Sequence, residues 1–411
     1  MNGSHYTWQR IPGGPRLAVA SIPGSECAAL SVFLPAGSRD DPEGKAGLAH
    51  FVEHMVFKGT GRRSAKELSL EIESAGGQTN ACTSEEHTVY EARGDASLLP
   101  LFADILSDMI WNSRYATEDI DTERDVIGEE ITMYRESPSD HIGDLISAAL
   151  WAPHPLGLPI SGSHESISRI DQSSFLSFRD LHHRRDDLVI AVAGPIGFTE
   201  AYDIILPHLP AAFTPAIAPP PFPGRPGKPA HLVETRDTEQ LQLALAFHGP
   251  SRTSPQRHAL RLLSILLGES ASSRLFLELR ENRGLCYQIS SDLTLLSDTG
   301  AFEIVAGLDP ESREEALACI ERELLDLTRN GPTSAELERA KRLAISQNKM
   351  AMESTASEVA WAGESLLEYG EILTPDEARQ RLLAVTTADV HRAAEELFQE
   401  ENRAIAEIRP A

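Results

Sequence analysis

Apolar residues recur along this chain with two different periods. Between Arg16 and Phe33 they alternate with polar residues and break at Pro23-Gly24, which predicts two strands joined by a turn. Thr79 to Ala92, Leu188 to Ala193, Leu241 to His248 and Tyr287 to Leu295 also read as strand. Helical spacing marks Gly47 to Phe57, Leu99 to Ile110, Glu118 to Tyr134 and Ala316 to Leu327. Alternation in several strands predicts sheets with one face covered by helices, an α+β architecture.

The order of these elements repeats. Leu99 to Ile110 is followed by a short loop and then by Thr117-Glu118-Asp119; Ala316 to Leu327 is followed by Thr333-Ser334-Ala335-Glu336. Each second helix opens on a threonine cap with acidic residues in its first turn. The offset of 216 residues suggests a duplicated domain rather than a short repeat. Chance likeness of two capped helices is the alternative. Between the halves, Pro207 to Pro229 is dense in proline and poor in charge, so it can continue neither a helix nor a central strand. It reads as a linker. The 411 residues then divide into a domain over 1–208, a linker over 209–229 and a second domain over 230–411.

Composition narrows the function classes. With 41% hydrophobic and 24% charged residues, the chain is globular and not disordered. Lys and Arg number 37 against 62 Asp and Glu, a net charge of −25. That surface repels phosphate backbones and anionic lipid, so neither nucleic acid nor membrane is an expected partner. It suits a cationic partner, or it simply maintains solubility. The polar start, Met1 to Arg10, shows no signal peptide, and no apolar run approaches the ~20 residues of a membrane span. Cys27, Cys82, Cys286 and Cys319 are scattered without a Cys-x-x-Cys pair, which argues against a disulfide framework or a cysteine metal site. A cytoplasmic protein with reduced thiols is expected.

The chemistry concentrates in His50-Phe51-Val52-Glu53-His54. On a helix, Leu48, Phe51, Val52, Met55 and Val56 form one stripe, and His50, Glu53 and His54 fall on the opposite side. Histidines at i and i+4 can hold one metal ion, with Glu53 beside it. A catalytic zinc site needs a third protein ligand and an open position for water. The helix from Glu118 to Tyr134 offers Glu123 and Glu130, which lie inside its apolar stripe of Ile120, Val126, Ile127, Ile131, Met133 and Tyr134. Buried carboxylates need a metal or a partner. A salt bridge from Glu123 to Arg124 or Arg135 is the other reading, and Glu118, Asp125 and Glu129 face the surface.

With this HxxEH helix, and with Glu130 placed 76 residues beyond His54, the chain resembles the pitrilysin-type inverzincins, in the branch of mitochondrial processing peptidase and its bacterial relatives. The stretch Glu123-Arg124-Asp125-Val126-Ile127-Gly128-Glu129-Glu130-Ile131 carries the likeness, with Gly128 where the family usually has a larger apolar residue. The resemblance implies a zinc endopeptidase in which His50, His54 and Glu130 hold Zn2+, Glu53 is general base, and Glu123 orients a ligand from behind. Gly76-Gly77-Gln78-Thr79-Asn80-Ala81-Cys82-Thr83-Ser84 resembles the family's edge strand, so Asn80 and Ala81 are expected to offer backbone contacts to substrate. Pro155 to Gly162 resembles a structural loop. Arg280 and Tyr287 match an arginine and a tyrosine seven residues apart that hold substrate and support the oxyanion.

The implied fold is two homologous α+β domains, each a mostly antiparallel sheet packed with helices. Only the first retains ligands, because Ser346 stands at the counterpart of Glu130 and no second HxxEH follows the linker. His182 and His183 are then expected at the surface. Peptides or unfolded polypeptides are the implied substrates. A homodimer enclosing a chamber is the expected assembly, with a heterodimer with a related subunit also open. The competing readings are a noncatalytic binding or assembly subunit and a zinc hydrolase of small amides.

Overall fold

The computed structural model describes residues 5–217, 221–223 and 230–411. Residues 218–220 and 224–229 of the expected linker lie outside the described residues. The chain forms two compact units. One comprises Met1–Ile131, Pro159–Pro220 and Met350–Thr374; the other comprises Thr132–Leu158, Pro221–Lys349 and Pro375–Ala411. Neither unit is a single run of chain.

The first unit contains a six-stranded sheet of β1 (His5–Arg10), β2 (Arg16–Ser21), β3 (Cys27–Leu34), β4 (Gln78–Thr83), β5 (Thr88–Asp95) and β6 (Val189–Gly194). Their spatial order is β1-β2-β6-β3-β5-β4, with β2 and β6 parallel and every other pair antiparallel. The second unit contains β7 (His231–Arg236), β8 (Leu241–Gly249), β9 (Cys286–Leu295), β10 (Gly300–Leu308) and β11 (Arg403–Pro410). Their order is β7-β11-β8-β10-β9, with only β7 and β11 parallel. With β1 set aside, the two sheets share one order and one pattern of directions, as duplication requires. Matched in this way, β9 stands where β4 stands, at the edge.

The first half supplies helices α1 (Leu48–Met55), α2 (Ala65–Ser74), α3 (Leu99–Asn112), α4 (Thr117–Glu136) and α5 (Pro138–Trp151). On one face of the first sheet, Leu17, Val19, Leu30 and Val32 pack with Phe102, Leu106 and Ile110 of α3. The opposite face is built from Ala18, Ala20, Ala29, Ala191 and Ala193, and Val359, Ala362 and Leu366 of the Thr355–Tyr369 helix cover it. The second sheet repeats the arrangement. Leu243, Leu245 and Phe247 pack with the Arg257–Leu267 helix, while Ala244, Ala246, Ala404 and Ala406 lie under Ile142, Ile146 and Ala149 of α5.

Both sheets are therefore covered on both faces, where sequence alternation predicted one. The second cover is a helix remote in sequence, and alanine gives a small-residue face that a helix can approach closely. No helix among the described residues is long and apolar enough to cross a membrane. All four cysteines are free thiols.

Candidate metal centre

The helix that carries the histidines is fixed at its start. Gly47 has φ +93°, and a Cβ there would lie 2.5 Å from the Ser161 carbonyl oxygen. Gly162 has φ +75°, and a Cβ there would lie 2.2 Å from the Ala46 carbonyl oxygen. Only glycine combines that backbone with that contact, so the pair lets the 159–162 loop lie directly against the entry to α1. Ser166 Oγ donates to Ala46 O at 2.7 Å. Asp41 accepts from the Gly47 and Ala49 amides at 2.7 and 2.8 Å, satisfying donors that a helix start leaves open. Burial pushes the Asp41 carboxyl up to about 7. Leu48, Phe51, Val52 and Met55 are then buried, which turns His50, Glu53 and His54 to the other side.

Helix α4 brings the carboxylates. Ile120, Ile127 and Ile131 are buried on one line, with Glu123 beside them at 4% exposure. Glu118, Asp125 and Glu129 are exposed, as expected. Val126, Met133 and Tyr134 are exposed too, so the buried stripe is narrower than the apolar pattern suggested. Glu123 does not pair with Arg124 or Arg135. Its Oε1 lies 2.9 Å from His54 Nδ1, and its Oε2 pairs with Lys58 Nζ. Arg124 instead donates to the Ile167 and Ile170 carbonyls.

With Nδ1 engaged by Glu123, His54 presents Nε2 to Glu130 Oε2 at 3.7 Å, and His50 Nε2 lies 3.9 Å from the same oxygen. One ligand-type atom from each of His50, His54 and Glu130 lies within 4.8 Å of the others. Donors bound tetrahedrally at ~2.1 Å from one ion sit roughly 3.4 Å apart, close to the 3.7 and 3.9 Å that separate Glu130 Oε2 from the two histidine nitrogens. Two imidazole nitrogens and a carboxylate oxygen are a donor set that fits zinc.

The two histidines sit in different electrostatic surroundings. Burial, reinforced by the field of His54, pushes His50 down to about 4, which keeps the imidazole neutral. For His54 burial works downward, but the Glu123 hydrogen bond and the Glu53 and Glu130 carboxylates raise it overall. Glu123 is opposed by burial yet held below the usual carboxylate range by His54 and Lys58. Burial raises Glu53, although Thr83 Oγ1 donates to its Oε2 at 2.5 Å.

The other expected residues divide between the units. β4 ends its sheet, so its outer edge has no strand partner among the described residues; Asn80 on it is exposed and Ala81 half-buried. Arg280 and Tyr287 belong to the second unit. Arg280 lies on a π-helical stretch, Phe276–Asn282, with its guanidinium 4.9 Å from the Phe276 ring centroid. Tyr287 stands on β9 and is 63% exposed.

Sequence reasoning missed Lys58, Thr83 and Asp41. Lys58 follows His54 by four residues, a helical spacing that could have revealed it. His182 and His183 are not surface residues: both are buried beside Phe178, and burial pushes each down to about 4. Their helix turns its last residues into the core, where His183 Nδ1 sits 3.1 Å from the Ile110 carbonyl.

Residues 16–164 match the family model described as insulinase, peptidase family M16, and residues 169–344 match that of the M16 inactive domain. An uncharacterized zinc protease of Mycobacterium tuberculosis is 34% identical over 392 residues, covering 94% of this chain and 90% of that protein. One from Bacillus subtilis is 33% identical over 409 residues, covering 99% and 98%. Among solved structures, a protease from Helicobacter pylori superposes with a TM-score of 0.92 at 22% identity, covering 99% of this chain and 100% of the other. A Pseudomonas fluorescens structure described as a peptidase M16 inactive domain gives a TM-score of 0.89 at 20% identity, covering 99% and 98%.

Proposed function

This chain belongs to the insulinase family of peptidases, M16, and we propose that it acts as a zinc-dependent endopeptidase on extended peptides or unfolded polypeptide. The observation that carries the proposal is the convergence of His50, His54 and Glu130, with Glu53 projecting from the same helix face. A zinc ion held by those three residues supplies Lewis acidity, which polarises a carbonyl and acidifies a nearby water.

Glu53 is the general base. It takes the proton of the attacking water and delivers it to the departing amine, so that one carboxylate serves both transfers. The Thr83 hydroxyl fixes one Glu53 oxygen, which restricts the carboxylate's rotation. Glu123 accepts from His54 Nδ1–H and thereby selects the tautomer whose Nε2 lone pair is free. Lys58 offsets the charge of this buried carboxylate. The free edge of β4 accepts an extended substrate as an added strand, with Asn80 and Ala81 supplying backbone contacts. Arg280 and Tyr287 hold the substrate carbonyls; both are exposed, so neither is committed to core packing. The working assembly is a homodimer, with a heterodimer of related subunits as the alternative that light scattering would distinguish.

The test is digestion of a mixed peptide pool by the purified chain, with products read by mass. Cleavage that stops with a chelator and returns with zinc supports the proposal. No cleavage by zinc-loaded protein would leave a binding subunit as the better reading.

A further inference from the structure

Helix α4 carries both Glu123 and Glu130, yet little core holds its last turn. Ile131, directly after Glu130, is its last buried residue, and Met133 to Glu136 are exposed. Gly128, two residues before Glu130, weakens the helix from within. Pro138 opens α5 and has no N–H to give the Tyr134 carbonyl, so the hydrogen-bond ladder cannot run on. A helix end in this state loosens unless other donors meet its carbonyls.

Arg236 of β7 is such a donor. Its Nη1 donates to the Arg135 carbonyl oxygen. A cation there also meets the negative end of the helix dipole. Nε and Nη2 of the same guanidinium donate to Glu234 Oε2 at 3.0 and 2.7 Å. Glu234 Oε1 in turn lies 3.3 Å from Nε2 of His141 on α5. Although burial opposes it, Arg236 and His141 hold the Glu234 carboxyl below the usual carboxylate range. The planar guanidinium is thus fixed on one side by Glu234, with Nη1 turned to α4.

We propose that Arg236 is a positioning residue for the metal centre: by capping α4 it keeps the turn that carries Glu130 helical, and so keeps the Glu130 carboxylate towards His50 and His54. Arg135 lies five residues beyond Glu130, roughly 7.5 Å along the helix axis. Loosening of little more than one turn from Arg135 therefore reaches the ligand. The inference rests on the reading of His50, His54 and Glu130 as a zinc site.

Zinc uptake by the wild-type chain, measured by competition with a chromogenic chelator, tests that reading by itself. Wild type without zinc would overturn the site and the inference together. Hydrogen exchange on the metal-free chain, read by mass on peptides spanning 128–140, tests the cap separately. Arg236→Met removes the donor and retains bulk. Exchange over Met133 to Ser137 should become at least about fivefold faster, and zinc affinity should fall about tenfold. Arg236→Lys retains a donor and should recover most of both. If a melting curve shows that Arg236→Met does not fold, Glu234→Gln takes its place, because it loosens the guanidinium and should move both readouts the same way by a smaller factor. Unchanged exchange in the folded variant would overturn the proposal. So would faster exchange with unchanged zinc affinity, or a lysine variant no better than methionine.

Discussion

Replacing Glu123 by glutamine tests how the candidate metal centre is held in place. The carboxylate serves two donors at once, with His54 Nδ1 at 2.9 Å on one oxygen and Lys58 on the other, at a site only 4% exposed. Glutamine retains one acceptor oxygen. If that oxygen stays with His54, Lys58 faces an amide NH2 group and the imidazole loses the negative charge that raises its basicity. If it turns to Lys58, His54 Nδ1 meets a donor, and the proton moves to Nε2, the atom that faces Glu130. Either outcome weakens a metal ligand without removing it. Partners of this kind are typically worth 10–100-fold in metal affinity, or about 1.4–2.7 kcal/mol. Zinc affinity should be measured by competition with a chromogenic chelator, alongside the His54 tautomer by nitrogen NMR and a melting curve. The predicted result is a folded protein with weakened zinc binding, whose cleavage recovers in excess zinc. Zinc affinity within about twofold of wild type, with His54 unchanged, would refute the positioning role of Glu123.

Two glycines near the centre should respond in opposite directions. Gly47→Ala forces a positive φ and a Cβ 2.5 Å from a backbone oxygen, so it should lower unfolding free energy by at least ~2 kcal/mol; an unchanged urea midpoint would contradict this. Gly128→Ala meets only an ordinary contact, 3.4 Å from the His164 ring, and should raise stability by up to ~1 kcal/mol in the same assay. Acid stability has a defined source in the second unit. Glu407 is fully buried, and although burial opposes it, Arg313, Arg409 and His231 bring its carboxyl down to about 2. A depressed folded value stabilises above the unfolded value of ~4.3 and loses that contribution as pH falls towards 2. The contribution is about 3 kcal/mol, so stability measured between pH 5 and 2 should fall less steeply in Glu407→Gln than in wild type.

Much of the half that carries the HxxEH helix was legible because its candidate ligands are local in sequence. The spacing of His50, Glu53 and His54 defines one helix face, and Glu123 and Glu130 stood out as carboxylates within an apolar stripe. The partner of Glu123 was not legible from its own helix: Lys58 comes from the end of a different one, and only the fold brings it within reach. Strands with strong alternation were also readable. β1, β7, β10 and β11 were missed, and their pairing explains why. β11 gains its place by lying between β7 and β8, so its order rests on neighbours more than 150 residues earlier in the chain. The alanine faces posed a similar problem. Ala244 and Ala406 show no strong pattern until the helix that covers them, α5, is known to come from the other half of the chain.

If Glu53 moves protons while His50, His54 and Glu130 hold the ion, the two functions separate in one variant. Glu53→Gln preserves size and hydrogen bonding but cannot act as a base. Zinc content and peptide cleavage should be measured on the same preparation of this variant. The expected result is about one zinc per chain with cleavage reduced by at least ~100-fold. Wild-type cleavage by the zinc-loaded variant would contradict it.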